Sequence, residues 1–271
     1  MTFSIVARSA DGESWGVAVA SKFLAVGSAV PAAVAQVGAI ATQADANVAY
    51  KGLALSHLDD GATASVALER LLEEDDGRDH RQVGLVDVDG TAASHTGSAC
   101  IDWAGGTTGP GYAVQGNCLT GPEVVEACER VLLAADPDAP LAQTLLAALT
   151  AGDEAGGDKR GRQSAALLVV RDEAGYGGLD DIAVDLRVDD HPAPVTELAR
   201  LLDLNELYLT ASTEEEKVPV DEALRRELDD FAAAQGQPDF STWVGTENHE
   251  MRVDPDLAWI DRRILAVVRG E

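Results

Sequence analysis

Cationic side chains are scarce in this chain. Its only lysines are Lys22, Lys51, Lys159 and Lys217, and 20 Lys and Arg residues face 47 Asp and Glu, a formal charge of −27. So negative a field repels phosphate backbones and anionic bilayer surfaces, so neither nucleic acid nor membrane is expected as a partner. The surplus of acid suits a salt-rich cytoplasm and a GC-rich genome equally. Cysteine is also rare. Cys100, Cys118 and Cys128 are odd in number and lack paired spacing, which argues against a disulfide framework or zinc site and for reduced thiols. The histidines, His57, His80, His95, His191 and His249, lie apart with no two at ligand spacing, so no metal or cofactor is expected. Long apolar runs are missing too. The first apolar stretches are broken by Arg8, Asp11, Glu13 and Lys22, and no basic-then-apolar leader precedes them, which makes a cytoplasmic location the expectation.

What remains is a globular composition. With 271 residues, 46% of them hydrophobic, the chain can build one large domain and a small appendage. Residues 2–9 and 14–22 alternate around Ala10-Asp11-Gly12-Glu13, the pattern of an antiparallel hairpin. Residues 24–42 are small and apolar, and 34–43 suit a strand buried on both faces. Apolar stripes predict helices over 50–58 and 63–73, the second ending in a solvated acidic run over 73–77. Strands over 82–88 and 91–97 flank the Asp89-Gly90 turn. A Gly-rich loop over 105–111 leads to a strand over 112–117, helices over 122–135 and 141–151, and strands over 165–170 and 182–188. Beyond residue 195 the pattern turns helical, with helices over 195–209, 220–234 and 255–268 and a charged linker over 213–217. The reading is therefore two domains, 1–205 and a small helical one over 206–271.

Chemistry-bearing residues gather at strand ends. Removal of Met1 before the small Thr2 would leave a hydroxyl and an α-amine on one residue, and an amine with an ordinary pKa of about 7.7–8.0 can take the hydroxyl's proton. Equally, many chains begin Met-Thr and make no use of the threonine. The hairpin brings Ser21 and Lys22 near Thr2; a solvated strand-end lysine is the common fate, and small apolar surroundings suit instead a buried Lys22 that favours a neutral amine. Gln43 and Asn47 close a buried strand, where they suit substrate hydrogen bonding or a turn alike. His95 and Thr96 end another strand and join the substrate-binding candidates. Asn117 after Gly116 could serve an oxyanion or build a turn. Arg160 and Arg162 cluster with Lys159, able to meet a substrate carboxylate or to pair with nearby acids. Ser164 opens a further buried strand.

The alternation of hairpins and helix pairs points to a four-layer αββα sandwich, an α+β fold. Thr2-Phe3-Ser4-Ile5-Val6-Ala7, Gly16 to Phe23, Arg81-Gln82-Val83-Gly84, Thr96-Gly97, Cys100 to Trp103, Gln115-Gly116-Asn117, Gly156-Gly157-Asp158, Gly161 to Ala165 and Asp185 to Pro192 together resemble the Ntn-hydrolase-like family called domain of unknown function 1028. The resemblance covers residues 2–200. Trp243 to Asn248 and the closing helix resemble a small C-terminal domain labelled a putative peptidoglycan-binding domain in some such proteins; packing or dimerisation, and so a homo-oligomer, is an equal expectation for it. The resemblance implies an N-terminal nucleophile hydrolase in which Thr2 attacks and its own amine is the base. The catalytic set expected here is Thr2, Lys22, Asn117 and Ser164, and the substrate-binding set is Gln43, Asn47, His95, Thr96, Arg160 and Arg162. The expected activity is hydrolysis of a small molecule's C–N amide bond through an acyl-Thr2 intermediate. The alternative is a catalytically silent Ntn-like protein that binds a ligand or serves assembly.

Overall fold

A computed structural model describes residues 2–271. The expectation that Met1 is removed lies outside the described residues. The chain is a mixed α/β structure with antiparallel sheets, and it divides into two units, one ending at Arg200 and the other Leu201–Glu271.

The first hairpin forms where the alternation predicts it. β1 (Thr2–Arg8) and β2 (Ser14–Ser21) pair with Phe3 opposite Ala20 and Arg8 opposite Trp15. Gly12 turns the chain between them at φ 79°, a left-handed conformation that costs glycine little. The small apolar stretch that follows holds the short α1 (Val26–Ala29) and two strands, β3 (Pro31–Val34) and β4 (Gly38–Ala44), where one strand over 34–43 is expected. Ala and Val continue on both sides of the turn, so hydrophobic periodicity does not reveal it. α2 (Ala49–Asp59) and α3 (Ala64–Glu73) follow, then the hairpin of β5 (Arg81–Asp87) and β6 (Ala92–Thr96). The buried Asp87 carboxylate ties these together: one oxygen accepts from the Thr91 amide at 2.8 Å, the other from the Ala64 amide at the start of α3, also at 2.8 Å.

The stretch read as a Gly-rich loop is a strand, β7 (Gly105–Gly109), paired with β8 (Tyr112–Asn117). Glycine carries no strand propensity, so composition conceals an edge strand that tertiary pairing imposes. α4 (Glu123–Ala134), α5 (Leu141–Glu154), β9 (Ser164–Arg171), β10 (Ile182–Val188) and α6 (Pro194–Leu209) complete the run, the division between the units falling within α6.

Two sheets result, ordered β10-β9-β2-β1-β8-β7 and β3-β4-β5-β6. β1 packs on β4 and β5, β2 on β3 and β4, and β8 on β5 and β6. α4 and α5 pack on the larger sheet, α2 and α3 on the smaller. Strand parity follows. Val6, Val17, Val19, Ala39, Ala41 and Val86 meet around the fully buried Trp15. Ile40, Val83, Leu85 and Ala93 point the other way, toward Tyr50, Leu58, Leu68 and Leu71 of the helices.

The second unit is not wholly helical. β11 (Lys217–Pro219) pairs with a strand over 259–261, so the expected charged linker over 213–217 and helix over 255–268 are both revised. α7 (Glu222–Ala234), α8 (Phe240–Thr246), β12 (Trp259–Asp261) and α9 (Arg262–Arg269) fill the rest. The Asp261 carboxylate accepts from the Arg263 amide at 2.7 Å, which sets the start of α9 at Arg262. The same carboxylate holds the buried Arg252 guanidinium at 3.0 Å. Among the described residues no helix is long and apolar enough to cross a membrane.

Candidate functional site

Four polar side chains stand in register at one end of the larger sheet. Thr2 pairs with Asn117 on β8, and Ser21 pairs with Ser164 on β9. The Thr2 and Ser21 hydroxyls, 3.1 Å apart, join the two pairs into one row. Directly opposed residues of antiparallel strands share a face. Thr2 therefore lies on the face that Ser4 and Val6 share, turned toward the smaller sheet, and is 4% exposed.

The next row inward is polar too. Ser4 pairs with Gln115, and across the interface Gln43 pairs with Gln82. Ser4 Oγ donates to Gln43 Oε1 at 2.7 Å and accepts from Gln115 Nε2 at 2.7 Å. Gln82 Oε1 accepts from Gln43 Nε2 and from Asn117 Nδ2, each at 2.8 Å. Gln82 Nε2 reaches the Gly116 carbonyl at 2.7 Å and Thr96 Oγ1 at 2.9 Å. The Thr2 carbonyl accepts from Gln43 at 3.3 Å and from Asn117 at 3.4 Å. Buried amides so interlinked reinforce one another in a low dielectric and admit few alternative geometries. The effect is to clamp the Thr2 backbone while leaving its hydroxyl against Ser21. Gln115 Oε1 is buried with no partner among the described residues, and it sits over Gly84, where a Cβ would overlap the amide.

Thr2, Gln43, Thr96, Asn117 and Ser164 thus come together as expected residues, in roles set by their bonds. Both amide protons of Asn117 are engaged by the Thr2 carbonyl and Gln82, so its amide braces Thr2 and is not presented to an oxyanion. Ser164 Oγ donates to the Phe23 carbonyl at 2.5 Å and accepts from the Val26 amide at 3.1 Å, which pins the start of α1. Thr96 supports Gln82.

The other expected residues lie apart. Lys22 lies one residue past the end of β2, in a bend, and is exposed; its ammonium lies 3.4 Å from the Arg162 carbonyl. The expectation of a buried lysine beside Thr2 fails because β2 ends at Ser21 and the chain bends at Lys22, which leaves that side chain in solvent. Asn47 donates to Asp75 at 3.2 Å, joining Tyr50 (2.7 Å) and Arg81 (2.9 Å) on that carboxylate. The Arg81 guanidinium first, then the Tyr50 hydroxyl, hold the Asp75 carboxyl well below the usual carboxylate range, while burial opposes them. Burial and the hydrogen bond to Asp75 push the Tyr50 hydroxyl up. The acidic run over 73–77 thus contains a structural tie as well as solvated acids. His95 shares the parity of Ala93, on the helix side of the smaller sheet, and contacts the Arg78 carbonyl at 3.0 Å. Arg160 pairs with Asp158 at 2.9 Å and Arg162 with Asp153 at 2.7 Å, the acid-paired reading of that cluster. A cavity of about 40 Å³ lined by Phe3, Ala20, Ser21, Asp158 and Arg162 lies beside the row, with room for no more than a few waters.

Ser4, Ser21, Gln82 and Gln115 belong to this cluster without standing among the expected site residues. Their signal is polar character on the inward parity of otherwise apolar strands, visible once the facing sheet is known. Cys100, Cys118 and Cys128 are unpaired, and burial pushes the Cys128 thiol up to about 12.

A profile of the family of unknown function DUF1028 matches residues 2–198, and the chain belongs to that family. The crystal structure of protein SPO2555 from Silicibacter pomeroyi, described with the same family, is 32% identical and superposes with a TM-score of 0.68 over 76% of this chain and 89% of that chain. Anbu (ancestral beta-subunit) from Yersinia bercovieri is 14% identical over 74% of this chain and 93% of that one, with a TM-score of 0.32, a likeness too slight to bear on this chain. No curated protein matches it.

Proposed function

We propose that the chain is an N-terminal nucleophile amidohydrolase whose nucleophile is Thr2. The observation that carries this reading is the place of Thr2: first residue of β1, turned between the sheets, hydroxyl 3.1 Å from Ser21 and carbonyl braced by Gln43 and Asn117. The packing of a helix pair on each of two apposed sheets supports the four-layer αββα sandwich of such enzymes. Free thiols support a reducing, cytoplasmic setting, and the charge of −27 supports a small molecule over a nucleic acid as substrate.

The chemistry requires a free α-amine on Thr2, hence cleavage of the Met1–Thr2 bond. That amine takes the hydroxyl proton as Oγ1 bonds to the substrate's carbonyl carbon. The C–N bond then breaks and the departing nitrogen receives the same proton, leaving an acyl ester on Thr2. Water, deprotonated by the amine, attacks that ester; the acid leaves and the proton returns to Oγ1. No cofactor enters the scheme. For the second unit the proposal is packing or dimerisation. Its Phe240 and Trp243 are buried, so neither offers a ring face to a sugar, whereas Leu209, Met251 and Val267 are exposed and suit self-association.

One observation favours the silent alternative: the engagement of both Asn117 amide protons, which leaves that side chain unavailable to an oxyanion. Treatment with a β-lactone electrophile, followed by intact-mass analysis and peptide mapping, separates the two readings. Loss of Met1 with an adduct on Thr2, absent in Thr2→Ala, is the expected result. A processed protein that takes no adduct, or hydrolysis by protein that retains Met1, overturns the nucleophile role.

A further inference from the structure

β1 carries a second polar feature at its far end. Arg8 closes the strand roughly 20 Å from Thr2, given the rise of about 3.3 Å per strand residue. Among the described residues its guanidinium makes no hydrogen bond or ion pair, and its Nε is buried. Arg8 is only partly buried and its charge is felt by Asp11, but an Nε buried without a hydrogen-bond partner carries a cost, and native chains rarely keep one without a use.

The group is nevertheless held in position. The Arg8 amide donates to the Gly111 carbonyl at 2.8 Å, and the guanidinium carbon stands 5.7 Å from the centre of the Trp15 ring. The turns of the two neighbouring hairpins give it room: a Cβ on Gly12 would collide with the guanidinium, and one on Gly90 would touch Nη1 at 3.6 Å. Trp15 itself is fixed by burial and by donation from Nε1 to the Asp87 carbonyl at 3.2 Å. Little side-chain freedom is therefore left to lose when a ligand binds.

A cavity of about 360 Å³ opens beside this cation, its apolar wall formed by Tyr112, Leu132 and Leu141. That volume falls within the range of small-molecule sites, which join an apolar lining to a few polar anchors. We propose that it binds a small organic carboxylate, the carboxylate on the Arg8 fork and the apolar body against that wall. Asp89 and Asp136 also line the cavity, where they disfavour dianions and can meet the ammonium of a zwitterion. The ligand class is thus a monocarboxylate with an apolar body, free or as an α-amino acid. The site stands independently of any chemistry at Thr2.

Isothermal titration of the full chain with phenylacetate and with phenylalanine tests this, comparing Arg8→Gln and Ala135→Trp with the unaltered protein. Saturable binding of at least one probe is expected, weakened roughly tenfold or more by Arg8→Gln through loss of a charge-assisted pair. Ala135→Trp, which fills the cavity and leaves Arg8 in place, should abolish it. Phenylalanine binding alone identifies a zwitterion site and phenylacetate binding alone a simple carboxylate site. Absence of binding by both probes, or binding that Arg8→Gln leaves unchanged, overturns the proposal. Should Arg8→Gln fail to fold, undiminished binding by Ala135→Trp overturns it instead.

Discussion

Gln82 Oε1 lies 2.8 Å from Asn117 Nδ2, an amide-to-amide bond that joins the smaller sheet to the larger one directly behind Thr2. Gln43 donates to the same oxygen at 2.8 Å. Gln82→Leu fills similar space but removes both the shared acceptor and the amide that donates to the Gly116 carbonyl and Thr96, leaving buried groups, an Asn117 amide proton foremost, short of a partner. The expected cost is about 2–4 kcal/mol, since each orphaned buried group costs about 1–3 kcal/mol. Urea denaturation measures it, with Lys22→Ala as the exposed control expected within about 0.5 kcal/mol. Equal midpoints for the two variants would show that the amides do not hold the sheets.

Gly84 is without a side chain because the Gln115 amide occupies the space. A methyl there overlaps that amide, so Gly84→Ala should destabilise by about 1–3 kcal/mol, the usual range for overpacking. Gln115→Ala in the same chain should recover part of the loss. A double-mutant cycle reads the coupling, expected at roughly 1 kcal/mol or more for residues in contact. Strict additivity would mean that the collision is relieved elsewhere.

Asp75 makes stability depend on acid. Its folded pKa is depressed, by Arg81 foremost and then Tyr50, below an unfolded value of about 3.9. A carboxyl of this kind contributes stability that is fully present above the unfolded pKa and is lost as the pH falls below about 4 toward the folded value. Asp75→Asn should therefore lower stability near neutrality and flatten the decline below about pH 4. Urea midpoints across that range provide the check; parallel curves for the two proteins would assign the acid sensitivity to other carboxylates.

Much of the first unit is legible in the sequence because its signals are local. Alternation and the Asp11-Gly12 turn define the β1–β2 hairpin, and Asp89-Gly90 defines the next one. The α2–α3 and α4–α5 pairs follow from apolar spacing. Failures occur where a local pattern is ambiguous or a tertiary contact overrides it. The break between β3 and β4 is hidden in uniformly small residues, and β7 is a strand only because β8 pairs with it. The site was half visible. Gln43 and Asn117 show as polar residues closing apolar strands, but Asn47 and the arginines at 160 and 162 carry the same appearance and are engaged by Asp75, Asp158 and Asp153. Side-chain type cannot tell an anchor for a substrate from an anchor for a neighbouring acid.

By itself the sequence determined the β1–β2 and β5–β6 hairpins, the helix pairs, the acidic surface and the address of Thr2 at the head of a buried strand, since each rests on periodicity or composition within a short window. Only the tertiary structure decided what surrounds Thr2. Strand pairing and parity place Ser21 and Asn117 beside it, and the end of β2 at Ser21 leaves Lys22 in solvent. The apposition of two sheets brings Gln43 and Gln82 against its carbonyl and Asn117. These partners lie 19 to 115 residues from Thr2 along the chain, a separation at which no local pattern carries information.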